Sequence, residues 1–217
     1  MGCRLDHLVF AVPDLERGVQ QIRDALGVEP TRGGSHVGRG TANYLVGLGN
    51  RAYLELIGPD VTQPTPATGR PFGVDYLSRP RLVTFAVAVD DIDATSDRLR
   101  LLGHDPGPSV AMQRVLPNGD VLSWTLTSPP EWGGGVVPFL IDWGDTVHPS
   151  LSCVQGARLE QLHGQHPDSN VVRVVWTALG LDYIVEDGPS PRLEATVVGP
   201  GGRITLSGSH SRGSQGT

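Results

Sequence analysis

The hydrophobic pattern repeats three times along the chain. Arg4-Leu5, Arg81-Leu82 and Arg158-Leu159 are spaced by 77 residues, and Asp14, Asp91 and Asp168 fall at the same interval. Self-similarity at a fixed period marks a duplicated structural unit. Each copy opens with a strand-like stretch, reaches the acidic residue and continues into an amphipathic segment. The first copy, Arg4–Asp14, and the third, Arg158–Asp168, share Arg, Leu, Leu, Pro and Asp in register; the second, Arg81–Asp91, is more apolar.

The segment after each Asp has helical spacing. Leu15, Val19, Ile22 and Leu26 lie on one face. Asp14 is placed to accept from the free N–H groups of the first turn, and Gly27 to end the helix in a left-handed conformation. The second helix is predicted from Asp91 toward Gly103, with Ile92, Leu99 and Leu102 inward. The third runs from Asp168 toward Gly180, with Val172, Val175 and Leu179 inward. Short β-type stretches broken by Gly, Asn or Pro follow each helix. They are expected near Ser35–Val37, Ala42–Val46 and Ala52–Ile57, then Ser109–Val115, Val121–Thr127 and Val136–Ile141, then Tyr183–Val185, Leu193–Val198 and Arg203–Leu206.

Each copy thus reads β-α-β-β-β. One such unit leaves a sheet face uncovered, and pairing two sheets closes a cleft between them. The fold class expected is α+β, made of repeated βαβββ modules whose paired sheets form a cleft, with a third, partial module. Modules are expected at 4–58, 81–142 and 157–206. Linkers fall at 59–80 and 143–156, and a disordered Ser/Gly-rich tail at 207–217.

Composition narrows the function classes. A chain of 217 residues needs no disulfide or metal simply to fold. With 38% hydrophobic and 18% charged residues it is globular and not disordered. It has no apolar run of about 18 residues, so no membrane span is expected. The N-terminus reaches a charged strand at once, leaving no room for a secretory signal. Cys3 and Cys153 read as free thiols of a reducing, cytoplasmic setting. All 17 basic residues are Arg, which excludes a P-loop lysine, a Schiff-base lysine and a lysine general base. A net charge of −6 without a basic run argues against nucleic acid. No G-x-S-x-G elbow is present. Gly33–Thr41 looks like a phosphate loop but lacks the lysine and does not open a helix, so a turn feeding a cleft strand is preferred.

Several motifs carry a family resemblance: Leu5-Asp6-His7-Leu8-Val9 with Pro13-Asp14-Leu15, Gly34–Asn43, Tyr53–Asp60, and Pro138–Gly144 with His148-Pro149. On these, the unit resembles the βαβββ module of the vicinal oxygen chelate (VOC) superfamily of glyoxalase I, extradiol dioxygenases and bleomycin-resistance proteins. More narrowly it looks like a glyoxalase-like domain protein, over roughly residues 4–206. The resemblance implies a small oxygenated metabolite in the cleft. It also implies a divalent metal held by a first-strand side chain and a last-strand Glu of each paired module.

Carried over position by position, the first copy supplies His7 and Glu55 as ligands or acid–base groups. Glu55 lies in the apolar run Tyr53–Ile57, where a carboxylate is costly unless paired or metal-bound. Imidazole plus carboxylate suits Zn, Ni, Mn, Fe or Co. The second copy departs from the pattern, with Thr84 and Phe139 at these positions; the third has Gln161 and Thr205. If copy one faces copy three, the ligand set is His7, Glu55 and Gln161. If it faces copy two, a metal needs His36, His148 or water. His36, Asn43 and His148 are candidate substrate contacts. His163 and His166 fall on opposite faces of a strand and do not share an ion. Two functions stay open: metal-dependent lyase, isomerase or dioxygenase chemistry, and metal-free sequestering of a small molecule. The partner expected is a small-molecule ligand, and a homodimer stays open.

Overall fold

The computed structural model describes residues 2–115, 119 and 121–209. The first unit comprises β1 (Arg4–Ala11), α1 (Leu15–Leu26), β2 (Thr31–His36), β3 (Thr41–Gly49) and β4 (Ala52–Pro59). The second comprises β5 (Arg81–Ala88), α2 (Ile92–Leu101), β6 (Val110–Val115), β7 (Val121–Leu126) and β8 (Phe139–Asp142). The third comprises β9 (Arg158–His166), α3 (Ser169–Ala178), β10 (Ile184–Asp187), β11 (Arg192–Gly199) and β12 (Gly202–Ser209). Two helices start on the expected caps: the Asp14 carboxylate accepts from the Arg17 N–H at 3.0 Å and Asp91 from the Ala94 N–H at 2.9 Å. The third does not. Asp168 makes no side-chain cap, and its own N–H donates to His166 Nδ1 at 3.0 Å.

In the first two units the opening strand pairs in parallel with the last, giving the orders β1-β4-β3-β2 and β5-β8-β7-β6. β1 then joins β5 antiparallel along its length, and β2 joins β6 through the single pair Ser35–Val115. Eight strands therefore close into a barrel, and the copy facing the first is the second. The third unit repeats the element order but not the sheet. Its strands run β10-β9-β11-β12, with β9 inside the sheet.

One local device recurs in all three opening strands. The β1/β5 register skips Asp6 on one side and Val83 on the other, and the β9/β11 register skips Glu160. Each is a β-bulge, in which an extra residue bends the strand and re-aims its side chains. The three bulges stand 77 residues apart, so the repeat is one of backbone geometry as well as sequence.

The barrel has two separate apolar layers. Leu8 and Phe10 of β1 and Phe85 and Val87 of β5 face outward, packing with α1, α3 and the inner face of the third sheet. Val9, Ala11, Ala86 and Ala88 face inward with Phe139 and Ile141. Strands buried on both faces read as near-continuous apolar runs, which is why these stretches lack polar alternation. Trp176 of α3 ties the third unit to the barrel: it is 1% exposed, meets Phe85 edge-on at 5.4 Å and donates from Nε1 to the Val136 carbonyl at 2.9 Å.

Both segments expected as linkers contribute more than connection. Residues 59–80 contain a 3-10 turn, Pro71–Tyr76, and residues 143–156 contain another, Pro149–Leu151. The expected tail starts later than 207, because β12 runs to Ser209; residues 210–217 lie outside the described residues. No helix among the described residues is long and apolar enough to cross a membrane.

Candidate functional site

Closing the barrel brings its inward-facing side chains together around a cavity of about 310 Å³. The first unit lines it with His7, His36, Thr41, Asn43, Tyr53 and Glu55. Arg114 joins them from β6, across the β2/β6 seam. The rest of the second unit gives an apolar wall, including Trp124, Leu126, Phe139 and Ile141, with Trp143 just beyond β8. Phe72 covers another side from the 59–80 segment, held in a left-handed backbone conformation at φ 58° that costs a non-glycine residue about 1 kcal/mol or more.

His7 and Glu55 lie on the adjacent strands β1 and β4, in a register that sets His7 beside Tyr53 and Val9 beside Glu55. The His7 and Tyr53 rings stack at 4.7 Å, and His7 Nε2 stands 3.6 Å from Glu55 Oε2. Strict alternation would put Asp6 on the far face from His7. The bulge turns both inward, and His7 Nδ1 donates to Asp6 Oδ1 at 2.6 Å. A carboxylate only accepts, so the Nδ1 proton is fixed in this bond and Nε2 is the ring nitrogen that faces the cavity.

Asp6 is fully buried and takes two more donors on Oδ2: His148 Nε2 at 2.8 Å and Trp143 Nε1 at 2.9 Å. Burial pushes the Asp6 carboxyl up, but the hydrogen bonds and charges of His148 and His7 outweigh it and hold the group well below the usual carboxylate range. His148 is itself fixed, with Nδ1 accepting from the Ser150 hydroxyl at 2.7 Å. His148, expected to contact substrate, thus lies behind the cavity and anchors Asp6. Period-two alternation along β1 opposes a site role for Asp6 beside His7. No sequence signal marks it, since the residues 77 and 154 further on, Val83 and Glu160, share no chemistry with it.

His36 and Asn43 sit where expected, on the cavity wall. The tight return from β2 to β3, with Gly38 at φ 73° and Gly40 at φ 65°, sets His36 beside Thr41. His36 Nδ1 bonds the Thr41 hydroxyl at 3.0 Å. Arg114 Nη1 donates to Asn43 Oδ1 at 2.8 Å, so the Asn43 NH₂ group must turn the other way. It reaches Glu55 Oε1 at 2.5 Å and His36 Nε2 at 3.4 Å. Burial pushes the His36 imidazole down to about 4, against the pull of Glu55 and with the push of Arg114. His36 is therefore neutral at physiological pH. Burial also pushes the Tyr53 phenol well up, and Asp6 and Glu55 act in the same direction.

The two glycines read above as a turn, Gly33 and Gly34, belong to β2 itself. A Cβ on Gly33 would stand 2.3 Å from Asn43 Oδ1 and 2.7 Å from Arg114 Nη1. The bare backbone is what lets the Arg114–Asn43 pair form against β2. Gly33→Ala is expected to lower stability by about 1–3 kcal/mol through this overlap and to displace Asn43 from Glu55. Thermal melts check the first effect and a crystal structure of the variant the second.

A divalent ion of the kind the resemblance implies would need three converging donors plus an open position. These residues do not fit it. His7 Nε2 approaches Glu55 Oε2, whereas His36 Nε2 approaches Oε1 at 3.8 Å. The Asn43 amide already fills the direction in which Oε1 and His36 Nε2 point, and Arg114 adds a cation behind it. Gln161 is not a third ligand: it is exposed on β9, paired with Thr196 in the outer sheet, because copy one closes against copy two. The register also places the corresponding residue of the second unit. Phe139 faces Ala86 as Glu55 faces Val9, so a ring takes the carboxylate's place and meets His7 edge-on at 5.6 Å. Among the described residues no three His, Cys, Asp or Glu side chains form a set that could hold an ion.

A glyoxalase-like domain is matched over residues 5–180. The chain belongs to the glyoxalase-like domain family. Its fold is shared by a hypothetical protein from Staphylococcus aureus, which superposes with a TM-score of 0.60 at 17% identity, over 97% of this chain and 87% of that one. Methylmalonyl-CoA epimerase from Mycobacterium tuberculosis aligns at 21% identity over 68% of this chain and 91% of its own, with a TM-score of 0.43. Streptomyces coelicolor methylmalonyl-CoA epimerase, in complex with 2-nitronate-propionyl-CoA, aligns at 20% identity over 66% and 96%, with a TM-score of 0.46. No curated protein matches the chain. The first unit carries His7 and Glu55 on the cavity wall, and the second has Thr84 and Phe139 in the corresponding registers.

Proposed function

We propose that this glyoxalase-like protein moves a proton on a small carbonyl compound held in the barrel, with His7 and Glu55 as the acid–base pair. The observation that carries this reading is the Asp6–His7–Glu55 line: a carboxylate fixes the His7 tautomer at 2.6 Å, and the opposite ring nitrogen faces Glu55 at 3.6 Å inside the cavity. A base oriented by a third group is the arrangement general acid–base catalysis uses. A covalent route has no support, since Cys153 is buried behind the wall beside Leu45 and Tyr53, and burial pushes its thiol up. In the proposed cycle His7 Nε2 takes a proton from the carbon beside the carbonyl. The enolate oxygen lies against the polar wall of Asn43 and Arg114; the proton passes from His7 Nε2 to the Glu55 carboxylate, which delivers it back to the carbon and is left ionised again, with His7 neutral.

The test is solvent exchange. Carbonyl compounds with an acidic C–H, from 2-oxo acids to aryl ketones, are incubated with the protein in D₂O and followed by proton NMR. Exchange at the α-carbon is expected with wild type and is expected to slow by about 100-fold or more in His7→Gln. Equal rates in both proteins across the series would refute the proposal. The aromatic wall and Phe139 favour a second reading, sequestering without chemistry; it takes over if members of the series bind and none exchanges.

The donor geometry makes a separate prediction about metals. Calorimetric titration of wild type and His7→Ala with Zn, Ni, Mn or Fe(II) is expected to give matching traces. Binding that disappears in His7→Ala would restore the metalloenzyme reading.

A further inference from the structure

We propose that the ligand is a carboxylate: a small molecule with an apolar or aromatic body whose acid group is held by Arg114, with Arg39 at the cavity mouth. The inference deepens the proton-transfer reading and rests on it for the ligand's orientation. Arg114 is 4% exposed. Burying a guanidinium is costly unless an anion compensates it. Yet Nη1 is spent on the neutral Asn43 carbonyl oxygen, Nε is buried without a hydrogen-bond partner, and no carboxylate of the described residues forms a salt bridge with the guanidinium. Glu55 is kept off it by the intervening Asn43 amide. Arg39 also lines the cavity, is exposed, and among the described residues has the Met112 sulfur, at 3.5 Å, as its side-chain hydrogen-bond partner.

Among the described residues the rest of the wall supplies no balancing anion beyond Glu55. His36 is neutral and Tyr53 keeps its proton, as argued above. Of the described residues, two cations and one carboxylate face the cavity, so one further negative charge completes the set. A guanidinium fork matches a carboxylate in geometry as well as charge. A dianionic phosphate would meet the Glu55 carboxylate with a single buried cation to offset it, so the carboxylate is the better fit. The opposite wall fixes the rest of the molecule. Phe139 and the Trp124–Trp143 pair, whose rings lie 5.3 Å apart, offer aromatic surface and no hydrogen-bond acceptors. Arg114 bonds Asn43 and Asn43 bonds Glu55, so a carboxylate seated on Arg114 lies on the Glu55 side of the cavity.

The experiment uses the full chain and matched probes: phenylacetate, phenylpyruvate, neutral phenylacetamide and phenyl phosphate, read by tryptophan fluorescence and calorimetry. Wild type is expected to bind the carboxylates about tenfold or more tighter than the amide, the discrimination a charge-assisted hydrogen bond gives. Arg114→Met should erase that preference and Arg114→Lys keep part of it. Arg39→Ala, an exposed change that cannot disturb the core, should weaken carboxylate binding a few-fold, and it stands as the test if Arg114→Met does not fold. The inference is overturned if acid and amide bind alike, if none of the probes binds, if phenyl phosphate binds best, or if the preference survives both Arg114→Met and Arg39→Ala. Carboxylate preference without α-proton exchange would leave this inference standing and remove the catalytic reading instead.

Discussion

Asp6→Ala lowers the unfolding free energy by about 3–5 kcal/mol, the usual loss when one partner of a buried charged network is removed. Three donors lose their acceptor at once: His7 Nδ1, His148 Nε2 and Trp143 Nε1. Two of them belong to fully or nearly fully buried rings, with no solvent to take over. The loss depends on pH with a definite sign. The folded Asp6 carboxyl is held below its ordinary value, so its stabilisation is present above about pH 3.9 and fades as the pH falls below that. His36 acts earlier on the same descent. Its imidazole is depressed from 6.5 to about 4 by burial, so the fold loses stability as the pH drops from 6.5 toward 4. Wild type is expected to weaken in two stages on acidification, and Asp6→Ala to keep only the upper one. Urea unfolding at a series of pH values reads both stages. An Asp6→Ala protein as stable as wild type at pH 7 would remove Asp6 as the anchor of His7. Its nitrogen-15 NMR spectrum adds a second readout: the single Nδ1–H tautomer of His7 should give way to a mixture.

Trp176→Ala is expected to cost about 3–5 kcal/mol and to lower the melting temperature by about 10 °C, given the usual response of a chain of this size. The indole is 1% exposed and joins the third unit to the barrel through Phe85 and the Val136 carbonyl. One apolar layer runs through α1, α3, the outer face of the barrel and the inner face of the third sheet. The variant should therefore still melt in a single transition, with carboxylate binding retained, because the cavity lies on the opposite face of β5. Two resolved transitions in calorimetry would mean that residues 157–209 are a satellite and not part of one folding unit.

The helices and strands were legible because their cause is local. The spacing of Leu15, Val19, Ile22 and Leu26, the Asp before each helix and the Gly after it depend only on neighbours along the chain. The His7–Glu55 pair was also legible, though through family resemblance and not through spacing, since the two residues lie 48 apart and no local rule joins them. Other members of the site were not legible. Asp6 adjoins His7 in sequence, where alternation predicts opposite faces, and only the bulge reverses that. Arg114 was one unremarked arginine among 17. It acquires meaning when the β2/β6 seam closes and Gly33 leaves room beside Asn43.

By itself the sequence determined three strand–helix–strands units 77 residues apart, and these followed because periodicity and capping are properties of a single segment. It also determined that the first copy keeps polar residues where the second has Thr84 and Phe139. Which copies meet was decided by tertiary structure alone. The third unit repeats the order of elements, yet β9 pairs with β10 and β11, and Gln161 is left on an exposed sheet far from the role its alignment implied. Strand pairing is a choice among edges that all offer the same backbone donors and acceptors. It is settled by which apolar faces can be buried together, and that sum over distant residues is not written in any one stretch of the chain.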